Sequence, residues 1–174
     1  MNLICTERGK GILLKGLLIL FASMNLTTVM AQKTDFSGIW KLNKENTDFG
    51  DHFSPNSIPI QLIIIQKKDT ISIERTSRNK QGETHVYLEK LATDGRTSEV
   101  LINEVLKKIS GSKWSDDRQT MLEISSTYIE AGQDKQRKAS DTWVLSNAGM
   151  TLTVSRIDEN QDGRFLSKAV YDKQ

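Results

Sequence analysis

From Phe36 to Tyr171 apolar and polar residues alternate in short runs, and helical periodicity is scarce. Phe36 to Asn43 reads as a first strand, followed by a polar, turn-rich loop from Lys44 to Pro59 that contains Gly50, Pro55 and Pro59. Ile60 to Gln66 is strongly β-prone, with Ile63, Ile64 and Ile65 in a run. Thr70 to Thr76 alternates: Ile71 and Ile73 face one way, Thr70, Ser72 and Glu74 the other. Further strands are expected at His85 to Ala92, Thr97 to Asn103, Met121 to Ile129, Lys138 to Leu145, Met150 to Ile157 and Phe165 to Tyr171. Glu104 to Ile109 fits a strand or a short helix equally well. Asp94-Gly95, Ala131-Gly132, Asn147-Ala148-Gly149 and Asp162-Gly163 punctuate these runs, and Asp-Gly between β-prone segments is a hairpin signal because both residues tolerate positive φ. The expectation is an all-β chain, an antiparallel meander closed as a barrel or a sandwich.

The pattern also repeats internally. Ile71-Ser72-Ile73-Glu74-Arg75 aligns with Leu152-Thr153-Val154-Ser155-Arg156, and Asn79 and Gly82 fall on Asn160 and Gly163 at the same offset of 81. Recurring strand–turn–strand units are what a meander contains. The unbroken apolar run Leu62 to Ile65 calls for burial, and closing the sheet would remove an exposed edge.

The N-terminus carries a different signal. Arg8, Lys10 and Lys15 precede an apolar run from Gly16 to Met24, and Val29-Met30-Ala31 supplies a small-residue cleavage site before Gln32. The run is short for a membrane span, which needs about 20 apolar residues. Residues 1–31 are therefore expected to be a signal peptide and 32–174 the folded domain, located in the periplasm or outside the cell; an uncleaved membrane anchor is the alternative. Cys5, the single cysteine of 174 residues, lies before the apolar core, so the exported domain would rest on its core and not on disulfides.

Processing also changes the charge. Removing Arg8, Lys10, Lys15 and Glu7 from totals of 24 basic and 22 acidic residues leaves the two signs in balance. No basic stripe remains to favour nucleic acid.

Asp35-Phe36-Ser37-Gly38-Ile39-Trp40 opens the mature domain with a Gly-x-Trp on its first strand. This motif, with Trp143 to Val154 (Trp-x-Leu-Ser, turn, Thr-Leu-Thr-Val) and the terminal Val170-Tyr171-Asp172-Lys173, resembles the small exported lipocalin-like (calycin-type) barrel proteins of bacteria. The resemblance covers nearly the whole mature chain. It implies an antiparallel up-and-down meander barrel of about eight to ten strands with a ligand cavity inside, and an Arg stacked over the motif tryptophan at the barrel base. Gly38, Trp40, Trp114 and Trp143 are the expected structural residues, with all three indoles largely buried.

Arg75 and Arg156 continue the apolar faces of their strands and should lie at or near a barrel end. Each is a candidate to anchor a ligand carboxylate bidentately, with Tyr128 or Tyr171 adding a hydroxyl. Structural readings compete: Arg156 stacked on Trp40, or either Arg snorkelling outward at a strand end. Asp158-Glu159-Asn160-Gln161-Asp162-Gly163 matches the first half of a calcium loop, but position twelve is Ala169 where a bidentate Glu is required, so a polar hairpin turn is expected and no metal site. The mature chain has two histidines, His52 and His85, without zinc-ligand spacing, no cysteine nucleophile and no Gly-x-Ser-x-Gly elbow. Asp116 and Asp117 are adjacent and would point apart on a turn.

Nothing in the sequence calls for a cofactor. The expected function is binding of a small hydrophobic or acidic ligand. An envelope protein with a filled core and an interaction surface is the alternative, and a small barrel enzyme ranks last.

Overall fold

The computed structural model of the chain describes residues 34–51, 55–79, 81–115, 120–132 and 136–174. The proposed signal segment, His52 and the Asp116-Asp117 turn lie outside the described residues. Ten antiparallel strands make one sheet: β1 (Gly38–Leu42), β2 (Gln61–Gln66), β3 (Thr70–Arg78), β4 (Thr84–Ala92), β5 (Asp94–Leu101), β6 (Leu106–Trp114), β7 (Met121–Glu130), β8 (Gln136–Ser146), β9 (Thr151–Asn160) and β10 (Gly163–Lys173). Their order is β4-β3-β2-β1-β10-β9-β8-β7-β6-β5, so consecutive strands pair throughout except at one place. The first strand pairs with the last, Trp40 opposite Lys173 and Leu42 opposite Tyr171. β4 and β5 follow each other in the chain and form the two edges of the sheet. The result is a nearly closed up-and-down barrel.

The expected strands are all present, and two local readings change. The ambiguous segment after Glu104 resolves as strand β6, which runs on through residues the alternation left unassigned. Ser110, Gly111 and Ser112 are the reason. They are small and polar, yet Ser110 and Ser112 face inward and are buried, so hydropathy hides the strand. Asp94-Gly95 does not close a hydrogen-bonded hairpin. It lies inside β5, Gly95 takes φ +90°, and the register to β6 slips between Asp94 and Thr97 as at a bulge. The turn expected at Asn147, Ala148 and Gly149 is present, a left-handed bend between β8 and β9 with φ of 51°, 51° and 83°.

Alternation fills the barrel in two tiers. The lower tier is apolar: Phe36, Trp40, Leu62, Ile64, Ile71, Ile73, Leu91, Leu122, Ile124, Trp143 and Leu152 form one buried cluster. Phe36 seals this end between Trp114 and Trp143, with ring centres 6.1 Å away in both cases. Its chain is held by Gln66, whose Oε1 accepts the Phe36 N–H at 3.0 Å while its Nε2 donates to the Thr34 carbonyl at 2.7 Å. Trp40 donates its indole N–H to the Phe36 carbonyl at 2.9 Å. Gly38 sits at φ +149°, and a Cβ there would come within 2.6 Å of the Lys173 side chain, so the Gly of the Gly-x-Trp motif is required by backbone conformation and by close approach.

Trp40 and Trp143 are fully buried, as expected, and Trp114 is partly so. The cation over Trp40 is Lys173, 5.1 Å from the ring centre. The lipocalin-like placement of Arg156 on that ring does not occur, because the β1–β10 register sets Lys173 directly opposite Trp40 while Arg156 is held in the upper tier.

Candidate functional site

The upper tier of the barrel is charged. Alternation along β3, β4, β6, β8 and β9 turns Arg75, Glu89, Lys108, Asp141, Arg156 and Asp158 to the inner face, beside Ser110 and Ser126. Buried charges of this kind must be paired. Glu89 Oε2 accepts from Lys108 Nζ at 2.9 Å and faces Arg75 at 3.4 Å. Arg156 forks onto Asp141, Nε to Oδ1 at 2.6 Å and Nη2 to Oδ2 at 2.8 Å. Arg75 also lies over Trp143, 5.4 Å from its ring centre. Lys108 lies 5.7 Å from the ring centre of Tyr128, and Arg137 is 4.1 Å from that same ring.

These contacts set the proton affinities. Burial alone would raise the Glu89 carboxyl, but Arg75 and Lys108 outweigh it and hold it below the usual range. Asp141 behaves likewise, burial being overcome by Arg156. Burial and the nearby Arg75 pull Lys108 below an ordinary lysine, against Glu89 and Tyr128. Tyr87 is pushed up to about 12 by burial. Asp158 differs from the other two carboxylates: burial raises it, and Arg137 only partly compensates. Its Oδ2 is 3.6 Å from Arg137 Nε and makes no hydrogen bond among the described residues.

Above this tier the barrel opens. A cavity of about 450 Å³ lies at the mouth, bounded by Arg137, Arg156, Asp158, Asn160, Asp162 and Phe165, with Ser57 from the β1–β2 loop. Below it, a void of only about 20 Å³ remains between Arg75, Asp141, Arg156, Tyr171 and the loop residues Ile58 and Pro59. The expected apolar ligand chamber is thus occupied by the protein's own side chains, a familiar outcome in small barrels.

Of the four candidate ligand residues, Arg156 is the one that reaches the mouth cavity. Arg75 is 3% exposed and borders only the small void. Tyr128 is buried between Arg137 and Lys108. Tyr171 donates its hydroxyl to the Pro59 carbonyl at 3.1 Å, and burial raises its phenol. Arg137 and Asp158 were missed as a pair. Arg137 precedes the clear alternation of β8. Asp158 reads as part of the calcium-like turn, although its place two residues after Arg156 on one strand gave its inward direction. That segment is the β9–β10 hairpin, in which Asn160 Oδ1 accepts the Asp162 N–H at 2.8 Å. Among the described residues no cluster of His, Cys, Asp and Glu is arranged to hold a metal.

A second hollow, about 520 Å³, lies on the outer wall of β5–β9. It exists because Thr97, Gly111, Ser125 and Ser140 are successive register partners and leave a trough between longer neighbours. No buried charge faces it, which makes the mouth the better candidate.

No family model matches the chain, and no curated protein matches it. Solved structures do. The zebrafish ileal bile acid-binding protein in complex with cholic acid is similar with a TM-score of 0.51 and 15% identity, over 80% of this chain and 98% of that one. A luciferase domain from the dinoflagellate Lingulodinium polyedrum follows at 0.49 and 7% identity, over 79% of this chain and 42% of that one. A redesigned β-barrel bound to the fluorogen DFHBI gives 0.35 at 13% identity, over 80% and 94%. Identities this low speak to fold alone. With its ten-stranded antiparallel meander joined between first and last strand, the chain has the up-and-down β-barrel fold that it shares with the zebrafish ileal bile acid-binding protein.

Proposed function

We propose that this protein is an exported barrel that binds a small acidic ligand at its open mouth. The observation that carries this reading is the floor of the mouth cavity. Arg156 is fixed there by Asp141, which engages two of its five N–H donors, and it borders the cavity that Arg137 also lines. A guanidinium held in place by a carboxylate is preorganised for an anion. The inner cluster is balanced, Arg75, Lys108 and Arg156 against Glu89, Asp141 and Asp158, and Arg137 at the rim adds one further cation beside Asp158. Packing of the apolar tier favours a compact ligand over a long aliphatic one. The export part of the proposal rests on the three-part signal of residues 1–31.

Titration with pentanoate, followed by backbone amide NMR, tests the site. Shifts should converge on Arg137, Arg156 and the β9–β10 hairpin, and Arg137→Gln should weaken binding about tenfold with an unchanged fold. Shifts centred on the outer trough, or binding indifferent to Arg137→Gln, would remove the mouth site.

An interaction surface is a second reading, favoured by one feature. Ile39, Ile65, Val86 and Leu88 are 46–60% exposed on the outer wall of β1–β4, beside an unpaired edge strand. Concentration-dependent self-association in sedimentation, abolished by Leu88→Lys, is the result expected of that reading.

A further inference from the structure

Asp158 is 3% exposed and borders the mouth cavity. Its Oδ2 makes no hydrogen bond among the described residues, and the nearest cation, Arg137 Nε, stands at 3.6 Å, beyond hydrogen-bond range. Glu89 and Asp141 each have a cation within 3 Å, Lys108 at 2.9 Å and Arg156 at 2.6 and 2.8 Å, although Glu89 Oε1, deep in the cluster and away from the mouth, also makes no hydrogen bond among the described residues. A buried carboxylate oxygen without a close donor is costly, and sites that bind ligands are where such groups persist. Asn160 and Asp162 border the same cavity from the adjoining hairpin, and both carry side-chain acceptors. The mouth therefore has two chemically different walls. Arg156 and Arg137 offer donors and positive charge; Asp158, Asn160 and Asp162 offer acceptors and negative charge. Arg156 and Asp158 project from the same face of β9, about 7 Å apart along the strand.

Resting on the mouth as the binding site, we infer that the ligand is a compact amino-acid-like zwitterion, its carboxylate on Arg156 and Arg137 and its ammonium on Asp158 and the β9–β10 hairpin. The two-walled lining explains why the cavity is polar where a fatty chain would need an apolar one. It also makes specificity a matter of paired charges. A plain acid would leave the carboxylate wall unsatisfied and repelled, whereas a zwitterion satisfies both walls at once.

The experiment compares two probes that differ by one ammonium group, pentanoate and 5-aminopentanoate, by calorimetry on the same protein. The wild type should bind 5-aminopentanoate about tenfold more tightly, as a charge-assisted hydrogen bond implies. Asp158→Asn should erase that ratio, whatever affinity change the two probes share, with amide NMR dispersion verifying the fold. Asp162→Asn, on the exposed hairpin, should lower the ratio and serves where Asp158→Asn does not fold. Equal binding of the probes by the wild type, or a ratio that neither substitution reduces, overturns the zwitterion while leaving the acidic-ligand site standing. Binding of neither probe removes both readings.

Discussion

Lys108 and Glu89 meet across the one place where the sheet does not pair. Lys108 stands on β6 and Glu89 on β4, and their 2.9 Å contact spans the opening left by the unpaired edges β4 and β5. Ser112 on β6 makes a second crossing, donating to the Ala92 carbonyl at 2.8 Å. Side chains thus close the barrel where backbone hydrogen bonds stop.

Because Glu89 Oε2 serves both Lys108 and Arg75, its loss strands two buried cations. Glu89→Gln should cost about 3–5 kcal/mol in denaturant unfolding. The combined change Arg75→Met, Glu89→Leu, Lys108→Met should recover most of that, because well-packed apolar groups replace buried ion pairs at little cost. A triple variant no more stable than the single one would show that the charges hold the seam in a way packing cannot.

Acid should act through opposing terms. Glu89 and Asp141 are held below their ordinary range, so the stability they contribute is present above it and lost as pH falls through their depressed values. Asp158 is raised, so its burial penalty is present at neutral pH and relieved as pH falls through its elevated value. Asp158→Asn should therefore stabilise the protein at pH 7 by a few tenths to about 1 kcal/mol. That gain should shrink on acidification, as thermal melts at stepped pH would show.

The tryptophans should separate by burial. Trp143→Ala and Trp40→Ala, both 0% exposed, should each cost about 3–5 kcal/mol. Trp114→Ala should cost less, because that ring is only partly buried at the edge of the cluster. Equal losses for all three would mean that Trp114 carries more of the Phe36 seal than its burial implies.

The N-terminal prediction is read by mass. Secreted protein from a bacterial host should begin at Gln32, and intact-protein mass spectrometry distinguishes this from an uncleaved chain anchored by residues 16–24. Retention of Met1 on exported material would replace the signal peptide with an anchor.

Much of the architecture was legible because β-alternation is local. Ile71 and Ile73 announce the inner face of β3, and Leu152 and Val154 that of β9. The same phase put Arg75 and Arg156 on those faces near a barrel end; the structure buries Arg75 without outward snorkelling and sets Arg156 at the floor of the mouth. What alternation could not supply was partnership. Asp141 and Glu89 look like ordinary polar residues, and only register puts Asp141 opposite Arg156 and Glu89 within reach of Lys108. β6 was obscured for a related reason: its inward positions are Lys108, Ser110 and Ser112, so a polar interior reads as a solvent face. The site fell in the part of the barrel where the rule of apolar inside fails, which is where function tends to sit.

The pairing of β1 with β10 has a consequence in time. On one side Trp40 and Lys41 pair with nearby β2, but on the other Trp40, Lys41 and Leu42 find their partners in Lys173, Asp172 and Tyr171, about 130 residues away. During synthesis the strands from β5 onward can zip to one another, and β1 to β4 can do the same, but neither half can wrap until the last strand has emerged. A chain without Gly163–Lys173 would hold two curled half-sheets with open edges, a sticky fragment in place of a slightly smaller barrel.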